Sequence, residues 1–290
     1  MRPRLLGVAV SCLLLCAVVR ADAALHTLWE LHGKHNTDYI LGSIHVLRPT
    51  DYPLPPVVIG AYANAKSLVM EVSPDELESQ QVQSELLASA QLPEGKSLPQ
   101  ILGARRYERA TALAHDVGVE LSLFDNFAPW FAAEAISQLQ LAQLGFQPKS
   151  GVDMYLADLA RTDSKSVTGL ETVQDQLALF EALSMEEQAA YLLASLEDAR
   201  DLPAEVNAMV HAWQQGDSAW FEEHMKSDFG NDPKLLESFL LSRNRKWAPK
   251  IEALLNDDKN YLVIVGAAHL VGRGSVIDLL KKDGIGAVQQ

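Results

Sequence analysis

Apolar and polar positions along the chain sort into short, buried-looking strands separated by helical stretches. "LHTLWEL" and "DYILGSIHVL", within residues 25–47, read as a hairpin or two short strands joined by the polar "HGKHNT". "DYPLPP" breaks the pattern, and residues 56–65 fit a short helix with Pro56 at its start. "KSLVMEV", 66–72, is a short apolar strand that runs into Ser73-Pro74. A helix over 75–90 follows, with Asp75 and Glu76 in its first turn. The spacing predicts further helices over 98–118, stopped by Gly118, over 128–144, ending at Gly145, and over 151–161, with Ser150 or Asp153 near its start. "VELSLF" (119–124) and "KSVTGLE" (165–171) read as strands. Three helices are expected between Thr172 and Asp228, and 235–255 reads as one amphipathic helix or a pair broken at Pro249. "YLVIVGAAHLVG", 261–272, is the strongest strand pattern. A helix over 274–282 and a short closing strand in "GIGAVQQ" complete the chain.

Strands that are apolar on both faces and alternate with helices predict an α/β fold. Its centre is a mixed, mostly parallel sheet flanked by helices, with the helix-rich stretch near 75–235 as an insertion or cap. There is no repeat, low-complexity tract or clean linker, so residues 24–290 read as a single domain with two lobes.

Composition changes this picture at one end. Arg2 and Arg4 precede an apolar run over 5–19, and Ala21-Asp22-Ala23 offers a small-residue cleavage pattern. The run is shorter than the ~20 residues a membrane span needs. Residues 1–23 therefore read as a cleavable signal peptide, with an uncleaved anchor as the rival; cleavage leaves a periplasmic or secreted chain with no stable membrane span. Its loss takes the formal charge from −14 to −16 and removes both cysteines, Cys12 and Cys16. Thiol catalysis, cysteine-based zinc sites and disulfide staples are then excluded. The acidic balance argues against nucleic acid and anionic membranes as partners. Hydrophobic residues make up 48% of the chain, enough for a core without staples.

Two strand ends share a spacing. Gly42-Ser43-Ile44-His45 and Gly266-Ala267-Ala268-His269 are both G-x-x-H, each following a large apolar run. By strand alternation His45 shares a face with Tyr39, Leu41 and Ser43, and His269 with Val263, Val265 and Ala267. In open α/β sheets ligands collect at the carboxyl ends of strands, where the glycines allow close backbone approach. Either histidine alone is more often a structural residue than a ligand; the shared context favours function for the pair. Glu71, in "SLVMEV", puts a carboxylate at the end of a third strand. It reads either as a capping or edge-exposed residue, or as a metal ligand or general base. Glu171 stands at another strand end, as a capping group or a supporting one. Arg243 and Asn244 are adjacent on a helix, where they form a solvated basic patch or a carboxylate clamp and oxyanion donor pair.

These stretches resemble the TraB/GumN family, which includes pheromone-shutdown proteins of conjugative plasmids and the Tiki-type metalloproteases that clip Wnt proteins. The resemblance rests on "GSIHVL" (42–47), "VMEV" (69–72), "GVDMYLADLAR" (151–161), "GLETVQDQL" (169–177), "LLSRNRKWAPKI" (240–251) and "VIVGAAHLVGRGSVIDLLKKDGI" (263–285), in that order. It implies His45, Glu71 and His269 as a metal and catalytic centre with Arg243 and Asn244 as polar partners. It also implies a fold similar to that of the erythromycin esterase and haem-uptake relatives. With it, the chain is expected to be a metal-dependent hydrolase of the peptidase type. His45, His269 and Glu71 would hold a divalent ion, Zn²⁺ or Mn²⁺, and Glu171 and Asp153 would support the ligands. The expected partner is a peptide or protein substrate. The rival expectation is a protein that sequesters a peptide or partner without cleaving it; a role in exopolysaccharide production rests on association alone.

Overall fold

The computed structural model describes residues 25–229 and 233–290, so the expected signal segment lies outside the described residues. Six strands form one sheet: β1 (Leu28–His32), β2 (Thr37–Ser43), β3 (Ser67–Met70), β4 (Ser166–Gly169), β5 (Tyr261–Gly266) and β6 (Ala287–Gln289), in the order β4-β3-β5-β2-β1-β6. β4, β3, β5 and β2 run parallel, while β1 pairs antiparallel with both β2 and β6. The sheet is mixed and mostly parallel, as the apolar runs predict. β5, the most apolar run, takes a central place, buried on both faces.

Alternation divides the core. Leu262 and Ile264 of β5 join Leu41 of β2 and Leu68 and Met70 of β3 on one face, under the helices Pro56–Asn64, Val152–Thr162 and Leu202–Gln214. Tyr261, Val263 and Val265 face the other way with Ile40 and Val69. There they pack on Trp247 and Ile251 of the helix Ser242–Leu254 and on Val276, Ile277 and Leu280 of the helix Val276–Lys282. A further cluster joins the helices Leu98–Asp116, Pro129–Gln143 and Met185–Asp198 through Leu98, Leu102, Ala132, Ile136, Leu192 and Leu196. It forms the helical lobe expected between β3 and β5. Among the described residues no helix is long and apolar enough to cross a membrane.

Several expectations are corrected. Residues 119–124 form no strand. Leu121–Phe124 is a single 3₁₀ turn, whose Leu121 and Phe124 lie three apart and so both reach the helical cluster. Residues 172–228 hold four helices, because Ser184 caps a new one at Met185 with its hydroxyl accepting from the Glu187 N–H. The expected helix over 75–90 is divided into Pro74–Leu77 and Gln80–Ala90, and that over 98–118 is kinked at Gly103, with φ +72°. Pro249 does not break its helix; it lies inside Ser242–Leu254, directly after a π-helical turn, Glu237–Leu241. The expected strand 261–272 stops at Gly266 and becomes a 3₁₀ turn, Ala267–Leu270.

Candidate active site at the parallel rim

The four parallel strands end on one rim, and each delivers a polar side chain just beyond its last residue. His45 follows β2, Glu71 follows β3, Glu171 follows β4 and His269 follows β5. Alternation does not aim the histidines, since both lie past the end of their strands. His269 is carried by the 3₁₀ turn, and His45 by the segment leading to Leu47.

The two glycines explain how these segments come together. A Cβ on Gly42 would sit 3.0 Å from the Cα of Ala267, so Gly42 admits the turn that bears His269. A Cβ on Gly266 would sit 3.4 Å from both His45 Nε2 and Glu71 Oε1 and 3.7 Å from His269 Cδ2. The space above Gly266 is therefore where the three side chains converge. A third glycine, Gly151, lets the helix Val152–Thr162 begin against the His45 backbone; a Cβ there would fall 2.3 Å from the His45 carbonyl oxygen.

Each functional side chain is held by others. The His45 Nδ1–H donates to Asp153 Oδ1 at 3.1 Å, leaving Nε2 towards the cleft. Burial would lower the basicity of this ring, but the Asp153 and Glu71 carboxylates outweigh it and raise its pKa to about 9. The side chain is 61% exposed, so water screens both influences. Glu71 accepts from Arg243 Nη2 at 2.5 Å, from the Gly266 N–H at 2.7 Å and from Gln176 Nε2 at 3.3 Å. Burial would raise its pKa, yet the neighbouring His269, His45 and Arg243 and the Gly266 N–H hold it down to about 2.

His269 is 4% exposed. Its Nδ1 lies 2.6 Å from Asn244 Oδ1, and Asn244 Nδ2 donates to the Gly274 carbonyl at 3.0 Å. The amide orientation places the ring proton on Nδ1, so Nε2 carries the lone pair and accepts from Arg243 Nη1 at 3.1 Å. Burial, with Arg243 and His45 nearby, lowers the His269 pKa to about 3 despite Glu71, so the ring is neutral. Trp247 packs on it with ring centroids 4.5 Å apart and also lies beneath the Arg243 guanidinium.

Of the two readings open for Arg243 and Asn244, a solvated patch or a clamp and oxyanion pair beside the centre, burial of both side chains leaves no solvated patch. All three guanidinium nitrogens are engaged, on Glu71, Glu171, His269 and the Phe239 carbonyl. Such an arginine is suited to holding two carboxylates and a histidine in place. Asn244 is likewise occupied on both sides of its amide. Gln176, Trp247 and the Phe239 carbonyl are parts of the site that the sequence reading did not single out. Trp247 was detectable in principle, four residues after Arg243 and hence on the same helix face.

Among the described residues no group of three or more histidine, cysteine or acidic side chains is arranged to hold an ion as it stands. The donors nevertheless suit one. His269 Nε2 and Glu71 Oε1 lie 3.9 Å apart, within the roughly 4.2 Å that two ligands at about 2.0–2.2 Å from a single zinc ion can span. His45 Nε2 faces the same space, and His269 would exchange its Arg243 hydrogen bond for the ion. Two cavities open at this point. One, of about 210 Å³, is walled by Met70, Pro74, Leu77, Met154 and Gln176. The other, of about 500 Å³, is largely apolar, with Leu141, Val206, Met209, Trp220, Phe221 and Leu240 in its walls.

The TraB/PrgY/gumN family profile matches residues 27–289. The chain is 25% identical over 277 residues to "Uncharacterized protein YbaP" of Escherichia coli (strain K12), covering 88% of this chain and 97% of that one. It is 21% identical over 267 residues to an "Uncharacterized protein" of Treponema pallidum (strain Nichols), covering 88% and 80%. It is 23% identical over 322 residues to "Metalloprotease TIKI2" of Xenopus tropicalis, covering 93% of this chain and 61% of that one. No solved structure matches. With the match running from β1 to β6 and taking in every rim residue described above, the chain belongs to the TraB/PrgY/gumN family.

Proposed function

We propose that the chain is an exported, metal-dependent hydrolase of the peptidase type, working at the rim where His45, Glu71 and His269 meet. The observation that carries this reading is the convergence of His45 Nε2 and Glu71 Oε1 on one point above Gly266, with His269 Nε2 3.9 Å from that carboxylate. A relative named as a metalloprotease supports the same class of chemistry here.

His45, His269 and Glu71 would hold a Zn²⁺ or Mn²⁺ ion, the borderline and hard choices for a nitrogen and oxygen donor set. When bound, such an ion polarises a scissile carbonyl and lowers the pKa of a bound water towards about 7. The chain's own residues do the rest. Asp153 and Asn244 each take the Nδ1–H of one imidazole, which turns both Nε2 atoms to the cleft. Arg243 pins Glu71 from one side and the Gly266 N–H pins it from the other, so the carboxylate stays ionised and in place to ligate or to accept a proton from the attacking water. Glu171 takes Nε and Nη2 of the guanidinium and so holds Arg243 in place against Glu71. Arg243 and Asn244 act as positioning residues.

Metal analysis of the purified mature chain beside His45→Ala and His269→Ala tests the centre. Stoichiometric metal, lost in both variants, supports it; a metal-free protein whose melting temperature ignores added Zn²⁺ and Mn²⁺ overturns it. Incubation with a peptide library and metal tests the reaction. Cleavage abolished by Glu71→Gln is the expected result. The apolar cavity beside the rim favours, as a second reading, a protein that captures a peptide without cutting it, and tight binding with no product would select that reading.

A further inference from the structure

We infer that the Ser43 hydroxyl is the group that meets the substrate's scissile carbonyl, at the junction between two chambers of the cleft. The inference rests on the hydrolase reading above and adds a substrate-contacting residue to it.

Ser43 is the last residue of β2 and pairs across the sheet with Gly266. It is 3% exposed, and its Oγ is buried with no hydrogen-bond partner among the described residues. A buried hydroxyl without a partner carries the desolvation penalty of that group and gives nothing back. Alanine would fill the position without this penalty, and the strand needs no side-chain hydrogen bond there. An unsatisfied donor of this kind is accounted for when a ligand completes it.

Its location says which ligand. The two cavities share only Ser43, His45 and Glu71 in their walls. An extended substrate passing from one chamber to the other must cross these three side chains, so the bond being cut lies beside Ser43. Three rim donors that might otherwise receive the carbonyl oxygen are occupied. Arg243 and Asn244 are engaged as described above, and the Gly266 N–H donates to Glu71. Ser43 stands in the wall of both cavities, and a single rotatable Cα–Cβ bond carries its hydroxyl. The chambers also divide the substrate. The larger, bounded by Trp220, Phe221, Met209 and Leu141, suits a large apolar side chain next to the scissile bond, and the smaller takes a less bulky residue on the other side.

Ser43→Ala and Ser43→Thr, compared with wild type, test this in three measurements: thermal melting, cleavage of a peptide library in the presence of Mn²⁺ or Zn²⁺, and retention of uncleaved peptides. Ser43→Ala is expected to melt at or above the wild-type temperature and to lose about 10- to 1,000-fold in kcat/KM. Ser43→Thr, which keeps the hydroxyl, should recover part of that loss. A lower melting temperature for Ser43→Ala would show that the hydroxyl has a partner within the protein and overturn the inference, as would wild-type cleavage by that variant. If the wild type cleaves nothing, the hydrolase reading fails separately. Peptides then held by wild type and released by Ser43→Ala still support a Ser43 contact. Equal retention, or none, removes it.

Discussion

Asn244 Oδ1 meets His269 Nδ1 at 2.6 Å, and that contact decides which ring nitrogen faces the cleft. The amide is fixed in turn by its bond to the Gly274 carbonyl, so the orientation of the imidazole is inherited from the backbone after the 3₁₀ turn. Asn244→Ala frees the ring to flip. The expected outcome is a ~10- to 100-fold loss of metal affinity, with a folding cost of about 1–2 kcal/mol from the lost buried hydrogen bonds. Asn244→Asp, which keeps an acceptor opposite Nδ1, should retain more affinity than alanine. Metal titration and urea unfolding of the two variants separate these effects.

The two motif glycines should respond differently to a methyl group. On Gly266 it would make ordinary contacts of 3.4 Å with Glu71 and His45, at a φ of −54° that alanine tolerates. Gly266→Ala should therefore fold and melt close to wild type, yet fill the space where the ligands converge and lose at least ~100-fold in activity. On Gly42 the methyl would press on the Ala267 backbone at 3.0 Å. Gly42→Ala should be destabilised by about 1–3 kcal/mol. Equal melting temperatures for the two variants would contradict this assignment of space.

The His45–Asp153 pair sets a pH dependence for metal binding. In the metal-free protein the ring pKa is raised to about 9, so at neutral pH an ion must displace a proton from Nε2. Affinity should then strengthen by up to ~10-fold per pH unit between 7 and 9 and level off above. Asp153→Asn removes the counter-charge, lowers the ring pKa and should move the plateau to lower pH. Calorimetric titrations with Mn²⁺ across this range distinguish the two profiles.

Asp38 gives a stability profile of the opposite kind to a surface carboxylate. It is 1% exposed, and although Oδ1 accepts from the Tyr261 N–H at 2.7 Å, Oδ2 has no partner among the described residues. Burial raises its pKa to about 6, against the lowering effect of the Tyr261 and Asn36 hydrogen bonds. The folded state thus binds this proton more tightly than the unfolded chain. Its contribution is fully present below about pH 4 and is lost as pH rises towards 6. Asp38→Asn should be more stable than wild type at pH 7, by about 1–3 kcal/mol, with the difference vanishing near pH 4. Urea midpoints at the two pH values check the sign.

The sequence by itself determined the sheet. Runs such as Tyr261–Val265 are apolar at consecutive positions and too short for a buried helix, so they can only be strands covered on both sides. It also marked His45, Glu71, Glu171 and His269, because a polar residue closing an apolar run is a local pattern. What the tertiary structure decided is how those residues work. The end of β5 at Gly266 came from the loss of strand pairing beyond Ser43, so the face of His269 is set by a turn and not by alternation. The burial of Arg243 came from β3 and β4 bringing Glu71 and Glu171 side by side at the rim, carboxylates 172 and 72 residues away along the chain. The Asp153 partner of His45, 108 residues distant, depends on Gly151 letting a helix start against the His45 carbonyl. Hydrophobic periodicity reports the few residues on either side of a position. Hydrogen bonds that fix a tautomer or an ion pair are made between segments that only the packed sheet brings together, and that is why the pairing of Asp153 with His45 and of Asn244 with His269 could not be read from local pattern, although the family resemblance named all four residues.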